Sequence, residues 1–131
     1  MTKKRTKKYQ GPRIPNVPMM RTTHDELAMG LHIAIETLIA RPDVDNYNDL
    51  SLRFITLGRV VGKQQYMEQA KQAMLDIAAR FERVGKFGVN AAEAEALRQA
   101  SGQMDRALPK IPLNKFLAAE ARTMAMLRAN P

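Results

Sequence analysis

The chain has 131 residues, of which 45% are hydrophobic and 26% are charged, and both proportions are ordinary for a single globular domain. It contains no cysteine, which excludes disulfides, thiolate metal sites and cysteine nucleophiles, and it is expected to be cytoplasmic. Lysine and arginine total 21 against 13 acidic residues, a net charge of +8, so the chain is expected to bind anionic partners.

The surplus positive charge is concentrated at the N-terminus. Residues 1–21 contain seven cations and no acid, whereas residues 22–131 contain 14 cations and 13 acids. A block of like charge at one end of a chain is typical of an interaction arm. The sequence therefore predicts a basic arm with a proline-rich strap at 1–21 and a helical domain at 22–131. Because phosphates attract such cations, the predicted nucleic-acid-binding residues are Lys3, Lys4, Arg5, Lys7, Lys8, Arg13 and Arg21.

Prolines recur at every third position in the strap. Pro12, Pro15 and Pro18 match the three-residue turn of polyproline II. A second edge of that helix would be apolar and is a candidate surface for docking a partner, and it consists of Ile14, Val17 and Met20. A disordered tail with a stiff linker is the alternative interpretation. No apolar run follows the basic start or reaches about 18 residues anywhere, so neither a secretory signal nor a membrane span is predicted.

Five helices are predicted after the arm. Thr23 and Glu26 have the spacing of a capping box, with Thr23 at the N-cap of the first helix. That helix should end before Pro42, which disfavours helical backbone at the residue that precedes it. A second helix is expected at 45–61, and Gly62 should break it.

The other three helices have equally local boundary signals. The third is expected at 63–84, and Gly85 stands where a left-handed C-cap belongs. Asn90 and Glu93 form a second capping signature for the fourth helix. Two prolines should end that helix and open the fifth, which is expected at 113–129.

Apolar residues at helical spacing predict the buried face of each helix. No region alternates with period two, and the connections are short, so we expect an all-α, compact bundle of about five helices preceded by an extended basic arm. The predicted inward residues are Leu27, Leu31, Ile35, Leu38 and Ile39; Tyr47, Leu50, Phe54, Leu57 and Val61; Met67, Ala70, Met74, Ile77, Ala78, Phe81 and Val84; Ala94, Leu97, Ala100 or Ser101, and Met104; and Phe116, Leu117, Met124 and Leu127.

The sequence offers little that could be catalytic. His32 and Glu36 are one helical turn apart, but a metal site needs a third ligand, and we expect both on a solvated face. The run GRVVGK at 58–63 has three residues rather than four between its glycines and lacks the following Ser or Thr of a phosphate loop. No serine, histidine and acid set can be assembled from spacing. We therefore expect no enzyme activity, no cofactor and no metal site.

The C-terminal part adds cations that would extend the basic surface. Lys115 and Arg122 are seven residues apart and share one side of the fifth predicted helix, while Arg106 and Lys110 lie near the junction before it. An ordinary solvated face with interspersed acids is the alternative. The third and fourth helices fit a helix-turn-helix only loosely, because an acidic first turn that contains Glu93 suits a phosphate-lined groove poorly.

The lysine-rich start KKRTKKYQGPR at 3–13, followed by a helical body, resembles a group of small basic proteins encoded by bacteriophages, prophages and plasmids. The likeness continues in 58–105, with Tyr66, the run RFER at 80–83 and the run GKF at 85–87, and it does not extend to 21–48. It implies a mobile-element origin in a bacterial host and an accessory, non-catalytic role. The group offers no activity that can be transferred, so no residue inherits a function from it.

Three functions remain open at this point. The first is a nucleic-acid-binding accessory protein whose arm contacts phosphates largely without sequence specificity. The second is a protein–protein adaptor or an inhibitor of a host complex, whose arm orders on an acidic partner. The third is a self-assembling structural component, a homo-oligomer in which the strap of one copy binds a neighbouring body. No membrane partner is expected.

Overall fold

The structure, a computed structural model, describes the backbone of residues 21–129 and, from residue 24 onward, the side chains. No β-strand occurs among these residues, which confirms the all-α prediction. The arm predicted at 1–21 lies outside the described residues except for Arg21. The helices are α1 (Arg21–Ala40), α2 (Val44–Val61), α3 (Gln65–Val84), α4 (Ala91–Ala107) and α5 (Leu113–Ala129), with a 3-10 turn at Leu108–Lys110 between the last two.

Local signals set the ends of α2 and α3. Asp43 caps α2 by accepting a hydrogen bond of 2.8 Å from the backbone amide of Asn46. The helix ends at Gly62, whose φ of 75° is disfavoured for residues with a Cβ. Gly85 ends α3 with φ 77° and ψ 13°, the left-handed cap that the sequence predicts. Both glycine predictions are confirmed.

The two predicted capping boxes have opposite outcomes. At the start of α4, the Glu93 amide donates to Asn90 Oδ1 at 2.8 Å, and the Asn90 amide donates to Glu93 Oε1 at 2.9 Å, so this box is confirmed. The box at Thr23 is wrong, because α1 already includes Arg21 and Thr22. An N-cap residue needs non-helical backbone, and neither residue before Thr23 is a helix breaker that would impose it.

Helix α4 lies between α1 and α3 and packs against both. Contacts from Glu36 to Arg98 and from His32 to Asp105 show that α1 and α4 are antiparallel, since residue numbers rise along one helix as they fall along the other. The short connection after Gly85 folds α4 back along α3 as a helical hairpin. This hairpin agrees with the antiparallel neighbours expected from short connections.

Helix α5 packs chiefly against α2. The Thr56 hydroxyl donates to Thr123 Oγ1 at 2.9 Å, and Arg59 Nη2 lies 3.8 Å from Met126 Sδ. Because residue numbers rise together along the two helices, α2 and α5 are parallel. α2 and α5 can be parallel because α3 and α4 lie between them in the chain. A short loop would instead make two consecutive helices antiparallel.

The core is mainly aliphatic and draws on all five helices, together with Leu108 and Ile111 of the connection before α5. Burying each of its leucine or isoleucine side chains contributes about 1.5–3 kcal/mol. Except for Leu108, the largest fully buried apolar side chains all belong to the predicted inward faces: Leu31, Ile35, Leu38, Leu50, Ile77, Leu97, Met104 and Leu108.

Three residues predicted to face inward do not. Val84, Met124 and Leu127 are all exposed, so those predictions are wrong. Val84 is the last residue of α3, where the chain turns away at Gly85. Helix α5 contacts essentially one neighbour, so it buries only a narrow stripe centred on Phe116, Ala119 and Thr123, and this stripe leaves Met124 and Leu127 at its edge.

Candidate functional site

Most of the predicted arm site lies outside the described residues, including Lys3, Lys4, Arg5, Lys7, Lys8 and Arg13 and the docking edge of Ile14, Val17 and Met20. Arg21 is the first residue of α1. The described body nevertheless determines which other surfaces are available to a partner.

The second predicted basic set occupies two places. Arg106 lies in the last turn of α4 and Lys110 ends the 3-10 turn, while Lys115 and Arg122 lie on α5. All four side chains are exposed, and none of them forms an ion pair within the part of the chain that the structure describes. They are therefore available to an external anion.

The end of the chain that contains this set is strongly basic. Residues 106–129 contain five cations and one acid, whereas residues 22–105 contain nine cations and 12 acids. The body is therefore close to neutral as a whole but divided into an acidic larger part and a basic end formed by the 3-10 turn and α5. The alternative interpretation is an ordinary solvated face with acids among these cations, but most of those acids belong to residues 22–105.

His32 and Glu36 are both exposed, as the sequence predicts, and both also contact α4. Its Nδ1 lies 2.8 Å from Ser101 Oγ and its Nε2 lies 3.1 Å from Asp105 Oδ2. Both partners are on α4, so the imidazole bridges the seam between α1 and α4. Glu36, one turn later, forms a two-bond ion pair with Arg98 of α4 at 2.8 and 2.9 Å. This exposed face of α1 therefore also contributes contacts to α4.

Ser101, His32 and Asp105 are the residue types of a hydrolytic triad, but their arrangement does not support that chemistry. Ser101 is only 1% exposed and lies beneath α1, so no substrate carbonyl can reach its Oγ. A triad also needs an accessible nucleophile beside an oxyanion site. The set instead satisfies a buried hydroxyl and joins two helices. Sequence spacing missed it because its members are 69 and 73 residues from His32.

The Glu36–Arg98 pair has a clear electrostatic signature. The hydrogen bonds from Arg98, together with its charge and that of His32, hold the pKa of Glu36 below its ordinary value. The same pair raises the pKa of Arg98. Both side chains are about half exposed, so this is a surface ion pair rather than a catalytic carboxyl.

The aromatic side chains are used for packing. Phe81 and Phe87 stack with ring centroids 4.1 Å apart, and Tyr47 lies 5.4 Å from Phe87. The Tyr47 hydroxyl donates to the Met74 carbonyl at 2.9 Å, and burial raises the pKa of Tyr47. The aromatic residues within 24–129 are all buried or partly buried.

A groove with a volume of about 660 Å³ lies between α2 and α3. Sequence analysis did not identify it, because it depends on how far the two helices diverge from the turn at Gly62. Its floor and lips are mainly apolar and are formed by Phe54, Ile55, Gly58, Met67, Met74 and Leu75.

The rim of the groove is mostly cationic. Arg59, Lys63 and Lys71 are exposed there, with Glu68 as the one acid of the rim. Arg59 also contacts Met126 of α5 at 3.8 Å. Met126 is one helical turn from Arg122, so the groove and the basic side of α5 adjoin each other at Arg59.

The described residues lack two other kinds of feature. Among residues 24–129, no group of three or more histidine and acidic side chains is placed to hold a metal ion. Of the five described helices, none is long and apolar enough to cross a bilayer.

Comparison with known proteins adds no assignment. No family model, no curated protein and no solved structure matches the chain. The resemblance to small basic phage, prophage and plasmid proteins therefore stays a prediction.

Proposed function

We propose that the chain is a non-catalytic accessory protein of a mobile element that binds nucleic acid through its basic arm, largely without sequence preference. The observation that carries this proposal is the concentration of seven cations and no acid in residues 1–21. Each cation that neutralises a phosphate releases condensed counterions, which makes such an arm a strong and salt-sensitive ligand for polyanions.

The described body supports a phosphate-directed mode of binding. Arg106, Lys110, Lys115 and Arg122 form no ion pair within the described residues and lie on the basic end of the body. They supply a second set of phosphate contacts on a folded surface. The arm provides most of the affinity, and the basic end restricts how the body lies against the nucleic acid.

The body also explains why sequence preference should be low. Base recognition requires side chains that reach base edges or rings that stack on bases. The described aromatic residues are buried or partly buried, and the first turn of α4 carries Glu93 and Glu95. These features favour contacts to the phosphate backbone over readout of bases.

The test is binding of a labelled duplex of arbitrary sequence by the full chain and by a six-glutamine variant. In that variant, Lys3, Lys4, Arg5, Lys7, Lys8 and Arg13 are each replaced by glutamine. We expect at least a hundredfold loss of affinity with an unchanged helical circular dichroism spectrum. A second variant, Arg106→Gln with Lys110→Gln, Lys115→Gln and Arg122→Gln, should lose less.

The matched control is Arg83→Gln with Lys86→Gln, two exposed cations near the end of α3 that lie outside both basic sets. This control should bind as the native chain does. Full affinity in the six-glutamine variant would contradict the proposal. If the chain binds no duplex but captures a partner protein, and this capture persists after nuclease treatment, the adaptor or inhibitor function would be favoured instead.

A further inference from the structure

The groove between α2 and α3 has an apolar interior that the rest of the described chain leaves uncovered. Met67 and Met74 are buried at its floor, and Ile55 and Leu75 form its lips, with Leu75 52% exposed. Methionine side chains adapt to the shape of what packs against them, which suits a floor that receives another element. A large apolar concavity on a small body marks an interaction surface.

The rim restricts what can occupy the groove. Arg59, Lys63 and Lys71 surround the apolar interior, opposed only by Glu68. Neither lysine has an ion-pair partner among the described residues. Because the chain's own segment 1–21 contains seven cations and no acid, it would be repelled by this rim. An occupant with an apolar centre and acidic flanks is required.

The same chain presents such an element on its outer surface. Met29 and Ile33 are 60% and 57% exposed and lie one helical turn apart on α1. Glu26 lies one turn before Met29, and Glu36, which also pairs with Arg98 of α4 and is 54% exposed, lies one turn after Ile33. Residues 22–40 contain three acids and no lysine or arginine. We call Glu26, Met29, Ile33 and Glu36 the α1 ridge.

We propose that the α1 ridge of one copy docks in the α2–α3 groove of a second copy. The apolar pair would fill the space above Met67 and Met74, and the acidic ends would meet the cationic rim. The contact has to be between copies, because α1 is already packed against α2 and α4 of its own chain. This assembly is independent of nucleic-acid binding.

The geometry implies a definite type of assembly. The two surfaces are different patches of one chain, so the contact is head-to-tail, with one free ridge and one free groove at the two ends of each assembly. Such contacts extend into open chains or close into rings, in contrast to a two-fold dimer that uses the same patch twice.

Sedimentation of nuclease-treated full-length protein tests the proposal. The ridge variant is Met29→Lys with Ile33→Lys, and the groove variant is Ile55→Lys with Leu75→Lys. All four residues are exposed, so each variant should keep the native circular dichroism spectrum and melting temperature. We expect the native chain to gain mass with concentration, and each variant to need at least about tenfold more protein for the same assembly.

Mixing the two variants gives the sharpest result. Each retains one intact surface, so an equimolar mixture should form a complex of two chains and nothing larger, since the remaining ridge and groove both carry added lysines. Val44→Lys with Val84→Lys, at two exposed valines outside both surfaces, is the matched control and should assemble as the native chain does.

Three results would overturn the proposal: a native chain that stays monomeric, variants that assemble as well as the native chain, or a mixture that forms no two-chain complex. Binding of a peptide of residues 1–21 to the groove, lost in the groove variant, would assign the groove to the arm instead. The six-glutamine variant should still assemble, so failure of this proposal and failure of nucleic-acid binding are separate outcomes.

Discussion

Arg80 of α3 and Glu93 of α4 form an ion pair across the helical hairpin, and the same glutamate closes the cap of α4. Arg80 also donates to the Gly88 carbonyl at 2.8 Å, so one guanidinium holds both the connection and the next helix. Glu93 is only 5% exposed, and the ion pair with Arg80 provides a partner for its buried carboxylate. A local capping signal and a long-range contact therefore meet in one side chain.

Replacing this glutamate should destabilise the protein more than a cap alone would. Glu93→Ala removes the hydrogen bond to the Asn90 amide and the partner of Arg80, so we expect a loss of more than about 1 kcal/mol, the usual cost of a helix cap. Thermal melting followed by circular dichroism measures it. Glu95→Ala, an exposed acid of the same first turn, is the control and should change the melting temperature little.

Two glycine-to-alanine substitutions should change the free energy of unfolding in opposite directions. Gly85→Ala places a Cβ at φ 77° and should lower the free energy of unfolding by about 1 kcal/mol. Gly102→Ala lies inside α4, where nothing stands within 4 Å of the added carbon, and it should raise the free energy of unfolding by about 1 kcal/mol. Chemical denaturation of both variants against the native chain provides the measurement. Equal shifts of the same sign would contradict the assigned backbone geometry.

The Glu36–Arg98 pair should make a small, pH-dependent contribution to stability. The pKa of Glu36 is lower in the folded chain than its ordinary 4.5, chiefly because Arg98 donates hydrogen bonds to it. The contribution is therefore present above about pH 4.5 and is lost as the pH falls through the lowered pKa. Melting temperatures of the native chain and Arg98→Gln should differ by at most a few degrees at about pH 7 and converge near about pH 3.

Arg83→Gln, which removes an exposed cation in the last turn of α3, is the control for that series, and its difference from the native chain should not follow the same pH dependence. A gap between the native chain and Arg98→Gln that stays constant from about pH 7 to about pH 3 would show that the ion pair is not its source.

Local chemistry made much of the fold predictable. Gly85, Asn90 and Glu93 define their boundaries through backbone conformation and bonds to neighbours three residues away, and such signals are contained in a short stretch of sequence. Apolar spacing likewise located α2, α3 and α5 to within two residues at each end. These predictions needed no knowledge of which helix packs on which.

The features that the sequence did not predict depend on which helix packs against which. Met124 and Leu127 have helical spacing with Phe116, but the side of α5 that is buried depends on its parallel contact with α2, which spacing does not encode. The contacts of His32 with Ser101 and Asp105 are likewise not predictable from spacing, because both partners are remote in sequence. The α2–α3 groove could not be predicted from spacing either, because it depends on how α2 and α3 are placed relative to each other.

The most direct test of the account is the salt dependence of duplex binding by the full chain and by the six-glutamine variant. If residues 3–13 bind phosphates as proposed, the slope of the logarithm of the binding constant against the logarithm of salt concentration should be smaller in magnitude by about 5 in the variant, close to 0.9 for each cation removed. A variant that keeps the native slope and affinity would contradict the assignment of nucleic-acid binding to the arm.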